Sequence, residues 1–223
     1  MTYRASRTPE PPPLDGNWDD PAWSTAAPAE ITWFHSAGSE HRPRIQVRLL
    51  YDQEALYLFF RVEDRYVRAV ADRFQGPVYE DSCVEFFVRP RERAGYFNFE
   101  MNCGGTLLLY YIEDPKRTPE GFARFSKVDR RHLSGMRVYH SLPRIVDPEI
   151  TEPVVWSLAY SVPFSLLNAY AGEVSPDPER PWRCNFYKCA DKTSHPHWGA
   201  WSPVGEELNF HQPDRFGILE FAP

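Results

Sequence analysis

From Trp182 the chain reads W-R-C-N-F-Y-K-C-A-D-K-T-S-H-P-H-W-G-A-W, and Asn209-Phe210-His211 follows shortly after. Trp198, Trp201 and Phe210 there stand among polar residues on turn-rich loops. Aromatic faces beside planar polar groups suit a flat, hydroxylated ligand: the ring takes the ligand's C–H face, and paired donors and acceptors bracket its hydroxyls. Upstream, Phe97, Phe99 and Met101 alternate with Asn98, Glu100 and Asn102. Asn and Glu are depleted in strands, so this row reads as a working polar face. With Tyr79, Arg183 and Asn185, the candidate ligand-binding residues are Tyr79, Asn98, Glu100, Asn102, Arg183, Asn185, Trp198, Trp201 and Phe210. The competing reading is that Trp182, Trp201 and Phe210 plug one end of the fold, since Trp is usually well buried.

Other chemistries have candidates too. Glu85 and Glu100 fall on neighbouring strands and would serve glycoside hydrolysis if they flanked a sugar at about 5–10 Å. His195, His197 and His211 supply three imidazoles, for which loop solvation competes with a metal site. Asp15, Asp19 and Asp20 are candidate oxygen ligands for calcium, but Asp beside Gly, Asn and Pro is commonly turn chemistry. Nucleophilic-serine, P-loop and dinucleotide-fold signatures are absent.

These residues need strands to hold them. Ile45, Val47 and Leu49 alternate with polar neighbours, a turn follows at Tyr51 to Glu54, and Leu56, Leu58, Phe60 and Val62 return, which predicts a hairpin. Asp81 to Pro90, Tyr96 to Cys103 (closed by Gly104-Gly105), Leu107 to Ile112, Gly135 to Ser141, Val154 to Val162 and Trp182 to Cys189 read as further strands. Residues 113–133 are basic and irregular, predicting a long loop. Pro163 to Tyr170, with Gly172 beyond, predicts a short helix.

At 223 residues, with 22 Pro and 12 Gly among 42% hydrophobic residues, the chain has many turns and ample apolar content for one core. The expected organisation is a Pro-rich leader over 1–13 and one all-β domain over 14–223, an antiparallel β-sandwich of jelly-roll or immunoglobulin-like kind with one short helix. Net charge of -6 and scattered Arg residues leave no basic footprint for nucleic acid. There is no apolar signal-peptide core and no window near the roughly 18 apolar residues of a membrane span. The expected location is therefore the cytoplasm, or a secreted or periplasmic one if a leader precedes this N-terminus. Cys83, Cys103, Cys184 and Cys189 lie in apolar runs and read as buried free thiols.

Several motifs coincide in order and spacing: D-G-x-W-D-x-x-x-W from Asp15, L-Y-D-x-x-x-L-Y-L with V-E-D, E-D-S-C-V-E-F-F, W-R-C-N-F-Y, and F-H-Q-P-D-R-F-G-I-L-E-F. Together, from Leu14 to Phe221, they resemble the family 9 carbohydrate-binding module and its stand-alone, DOMON-like relatives. The resemblance implies a β-sandwich that grips sugar ends between two aromatic side chains and carries structural calcium. It implies non-catalytic saccharide binding, with a link to polysaccharide or glycoside catabolism. The family's two platform Trp positions fall at Val78-Tyr79 and Phe210, its sugar-contacting Arg at Glu100, and its neighbouring Asn at Asn102. The same superfamily holds haem-binding electron-transfer domains, for which Met101 is the candidate axial ligand.

Overall fold

Alternating apolar and polar residues give each strand two unlike faces, and burial of the apolar face drives the strands into layers. The computed structural model describes residues 1–223. In chain order the first strands are β1 (Thr2–Arg7), β2 (Ala29–Ile31), β3 (Trp33–Phe34), β4 (Arg44–Tyr51), β5 (Ala55–Asp64) and β6 (Val67–Ala69). They continue as β7 (Cys83–Arg89), β8 (Tyr96–Asn102), β9 (Leu107–Thr118), β10 (Gly121–Lys127) and β11 (Val138–His140). The remainder are β12 (Val146–Ile150), β13 (Val154–Pro163), β14 (Trp182–Cys189), β15 (Trp198–Ala200) and β16 (Gly217–Phe221). Two helices, α1 (Pro21–Ser24) and α2 (Phe164–Ala171), complete the elements that matter here, and no helix is long and apolar enough to cross a membrane.

The first sheet runs β10-β9-β8-β7-β14-β16 and the second β4-β5-β13-β11, with β1 joining them. Thr2 to Ala5 pair in parallel with β16, whereas Ser6 and Arg7 pair in parallel with β4. The other pairings are antiparallel, so the all-β sandwich expected from the alternation is the fold found. Phe86, Phe99, Met101, Cys184 and Phe186 from the first sheet meet Leu58, Phe60, Trp156 and Tyr160 from the second in one buried layer. Burying each Phe there contributes roughly 1.5–3 kcal/mol.

Three local expectations change. The leader is not an appendage along its whole length: Tyr3 and Ala5 are core residues, because Thr2 to Arg7 alternates and fills the seam between the sheets. Residues 113–133 are mostly not loop. β9 runs on to Thr118 and turns into β10, with Phe122 buried and register shifts near Arg124 that blur the alternation. Met101 lies fully buried between Val84 and Leu107 in register, packed as a core side chain rather than presented as an axial ligand.

The predicted helix is α2, preceded by Pro163 and ended at Gly172 with φ of 74°. Gly105, with φ of 80°, turns β8 into β9. Gly217 is required by contact: a Cβ there would come 2.4 Å from the Trp201 ring.

Candidate functional site

The polar row of β8 faces away from the interlayer core, and so do Cys83, Glu85 and Phe87 of β7 and Tyr187 and Cys189 of β14. That outer face is not left to water. The β9–β10 hairpin curls over one side of it, and the segment from Val204 to Phe216 covers another, making a second apolar cluster with Tyr96, Phe122, Phe210 and Phe216. Between sheet and cover lies a cavity of about 500 Å³. Its volume is within the usual range for small-molecule sites.

Aromatic side chains line it from several directions. Tyr79 stands on a 3₁₀ turn at Val78–Glu80 and is 40% exposed, while Phe210 is stacked on Tyr187 at 4.1 Å and 9°. The Tyr187 hydroxyl donates to the Phe210 carbonyl over 3.0 Å, which fixes the covering loop to the sheet. Trp198 is oriented by its indole N–H, which donates to Asp191 Oδ1 over 2.7 Å. Phe122 carries the Arg117 guanidinium over its ring at 4.2 Å. Tyr110, next along β9, has Lys127 nearby at 5.8 Å from its ring centre.

The polar lining is dominated by carboxyl groups. Asn98 Nδ2 donates to Glu100 Oε1 over 2.8 Å, while the Tyr110 backbone N–H donates to Asn98 Oδ1. Glu85 and Glu100 are opposite one another in the β7–β8 register, and both are buried. Burial, with the Asp191 carboxylate adding to it, pushes Glu100 up to about 8, against the opposing pull of Asn98 and Arg117. Burial and the facing Glu100 also hold Glu85 well above the usual carboxylate range. Burial therefore favours the protonated form of both groups, and Glu100 can offer an O–H donor to the cavity. Glu85 and Glu100 are cross-strand neighbours, side by side on one wall of the cavity. His211 closes the wall, its Nδ1 bonded to the Tyr96 hydroxyl at 2.9 Å. Burial, helped by Arg117, holds its imidazole down at about 3, so it is neutral.

Of the residues singled out from sequence, Tyr79, Asn98, Glu100, Trp198 and Phe210 meet around this cavity. The other four lie elsewhere. Asn102 Nδ2 is taken up by the Ala71 carbonyl and Asp81, and its Oδ1 by the Thr106 N–H, so it locks the β8–β9 turn. Asn185 ties Ser202 through its N–H and carbonyl. Trp201 packs edge-on against Phe186 and Tyr3 in the interlayer core, and Arg183 lies near the far end of β14 with its guanidinium at the Phe216 carbonyl. Strand position grouped Asn102, Arg183 and Asn185 with the others and a late loop grouped Trp201, but distance along the strand, completed hydrogen bonds and core packing separate them. Tyr110, Arg117, Phe122, Asp191 and His211 were not singled out as ligand-binding residues.

The three loop histidines do not converge. His195 stacks on Tyr66, His211 is in the cavity, and His197 is buried with Lys188, whose Nζ is 2.9 Å from His197 Nε2 and 3.7 Å from Asp64. Asp64 also accepts from the Trp156 indole and pairs with His41. Asp15 and Asp20 each accept a turn amide, from Asn17 and Ala22 respectively, and the Asp19 N–H is held by Asn17 Oδ1. These are the contacts of turn and cap residues. All four cysteines are buried free thiols, as expected.

Several solved structures share this fold, three of which follow. A protein of Bacteroides uniformis ATCC 8492, described as a candidate carbohydrate-binding protein, is 27% identical with a TM-score of 0.85, over 99% of this chain and 99% of that one. A family 9 carbohydrate-binding module of Caldicellulosiruptor kristjanssonii in complex with cellotriose is 13% identical, with a TM-score of 0.66 over 99% of this chain and 93% of that one. The complex of a family 9 module from the same organism with glucose gives the same identity and score, over 100% and 96% of the two chains. No curated protein sequence matches the chain. The model of carbohydrate-binding family 9 matches residues 24–221, nearly the whole of the sandwich and its covering segments, and the chain belongs to that family.

Proposed function

We propose that this chain is a non-catalytic binder of saccharides that holds the end of a sugar in the cavity over β7, β8 and β14. The observation that carries the reading is the lining itself, which joins aromatic side chains, the exposed Tyr79 among them, to buried polar groups such as Asn98 and Glu100. Tyr79 and Phe210 supply stacking faces, Trp198 a wall, and Asn98, Glu100 and Arg117 the bracketing groups. The family membership supports this, as do the cellotriose and glucose carried by the two Caldicellulosiruptor complexes. The protonated Glu100 carboxyl favours ligand atoms that accept hydrogen bonds, such as ring and hydroxyl oxygens. The accompanying proposal is a role in glycoside catabolism, delivering or retaining a sugar for other proteins.

A thermal-shift screen against mono- and oligosaccharides, each with calcium and with chelator, tests this. A ligand at 100 times its Kd stabilises the folded state by about 2.7 kcal/mol, equivalent to roughly 5–10 °C for a chain of this size. A saccharide-specific rise supports the reading, and a flat response to every sugar under both conditions contradicts it.

A further inference from the structure

Under the cavity lies a donor set that sugar binding leaves unused. Cys83 and Cys189 are directly opposed across β7 and β14, and Glu85 follows Cys83 by two residues on the same strand face. Cys189 Sγ donates to Glu85 Oε1 over 2.9 Å. One ligating atom from each residue lies within 4.8 Å of the other two. All three residues are buried, yet Glu85 Oε2 has no hydrogen-bond partner. An idle buried polar atom costs roughly 1–3 kcal/mol, and a thiol is a weak donor that repays little of it. As packing alone, the arrangement is poor.

As coordination chemistry it is coherent. Two sulfurs and a carboxylate are a soft, mixed donor set, and a tetrahedral zinc ion takes sulfur at about 2.3 Å and oxygen at about 2.0–2.2 Å. Those bond lengths place ligand atoms roughly 3.3–3.8 Å apart, within reach of small side-chain rotations from the observed cluster. Glu85 and Cys189 also line the cavity, so a fourth position opens toward it, beside Glu100. The other compact group, His41, Asp64 and His197, is weaker. The Lys188 ammonium already stands beside Asp64 and His197, where a cation would have to sit.

We propose that Cys83, Glu85 and Cys189 form a site for a thiophilic divalent ion of the zinc class, with its fourth position facing the cavity. On binding, both thiols and the Glu85 carboxyl release their protons to water, and two sulfur–metal bonds and one oxygen–metal bond form without change of oxidation state. Burial raises the proton affinity of Cys83 and Glu85; Lys188, on β14, works against that and would offset part of the negative charge of the bound site.

The probe is cobalt(II), added to the full chain after reduction and treatment with chelator. The expected result is equimolar uptake with a thiolate-to-cobalt charge-transfer absorption in the near ultraviolet, bleached by added zinc. Cys189→Ser should remove the band and weaken cobalt binding about tenfold or more. Cys184→Ser should change neither, because Cys184 faces the interlayer core from the other side of β14. The absence of the band in the reduced wild-type chain, or its survival in Cys189→Ser, overturns the proposal. This readout is independent of saccharide binding, so the two readings can fail separately.

Discussion

Tyr79→Ala and Phe210→Ala separate binding from folding at the same cavity. Tyr79 is 40% exposed on a short turn and belongs to no buried cluster, so its removal should change stability by no more than about 0.5 kcal/mol. If its ring carries one face of a sugar, the loss of stacking is worth about 1–3 kcal/mol, a roughly 5- to 150-fold weaker Kd. Phe210 is different. It is 9% exposed and stacked on Tyr187 at 4.1 Å, so truncation leaves a void and should destabilise the fold by about 3–5 kcal/mol. For a chain of this length that is about 6–20 °C in Tm. The assay is calorimetric titration with the saccharide that gives the largest thermal shift, beside melting of both variants. Wild-type affinity in Tyr79→Ala would remove that ring from the site. Wild-type stability in Phe210→Ala would refute the argument that the covering loop is pinned by its stack.

Lys188→Met should destabilise the protein by about 3–5 kcal/mol in denaturant unfolding, because it strands the buried Asp64 carboxylate; a loss under about 1 kcal/mol would contradict this. Asp64 itself is held at about 2: burial pushes it up, but Lys188, His41, His197 and Trp156 outweigh that. Its contribution, on the order of 2–3 kcal/mol, is present above the unfolded value near 3.8 and should vanish as pH falls toward 2, and Asp64→Asn should flatten that limb of the stability curve. His211 works at higher pH. The unfolded imidazole takes a proton below about 6.5 that the folded one refuses until about 3, so stability should fall by about 2 kcal/mol between pH 6.5 and 4.5, and His211→Gln should lessen that slope. Gly217→Ala should cost about 1–3 kcal/mol by forcing a methyl against Trp201, read as a lower midpoint in urea.

The sandwich was legible wherever alternation was clean. β4, β5, β7, β8, β13 and β14 all carry apolar residues at every second position, and Pro163 with Gly172 framed α2. The β9–β10 hairpin was hidden because its second half is exposed and charged, and because register shifts beside Arg124 break the period of two. That omission moved the expected site. With residues 113–133 read as loop, the polar row of β8 was assigned to a rim shared with Arg183 and Asn185, whereas the hairpin roofs it and brings Tyr110, Arg117 and Phe122 over Glu100. Trp201 and Phe210 look equivalent in sequence, both aromatics on late loops. Only the three-dimensional path of the chain puts one in the interlayer core and the other against Tyr187.

The most direct test of saccharide binding in this cavity is a nuclear magnetic resonance titration that follows the tryptophan indole N–H signals and assigned backbone amides as saccharide is added. Trp198 lines the cavity, whereas Trp23, Trp156 and Trp182 are buried away from it. The account predicts that the Trp198 indole and the amides around Tyr79, Tyr110 and His211 shift together and saturate with one Kd, while the other three indoles stay in place. Shifts centred on those buried tryptophans, or saturable binding that leaves Trp198 and Tyr110 unmoved, would contradict it.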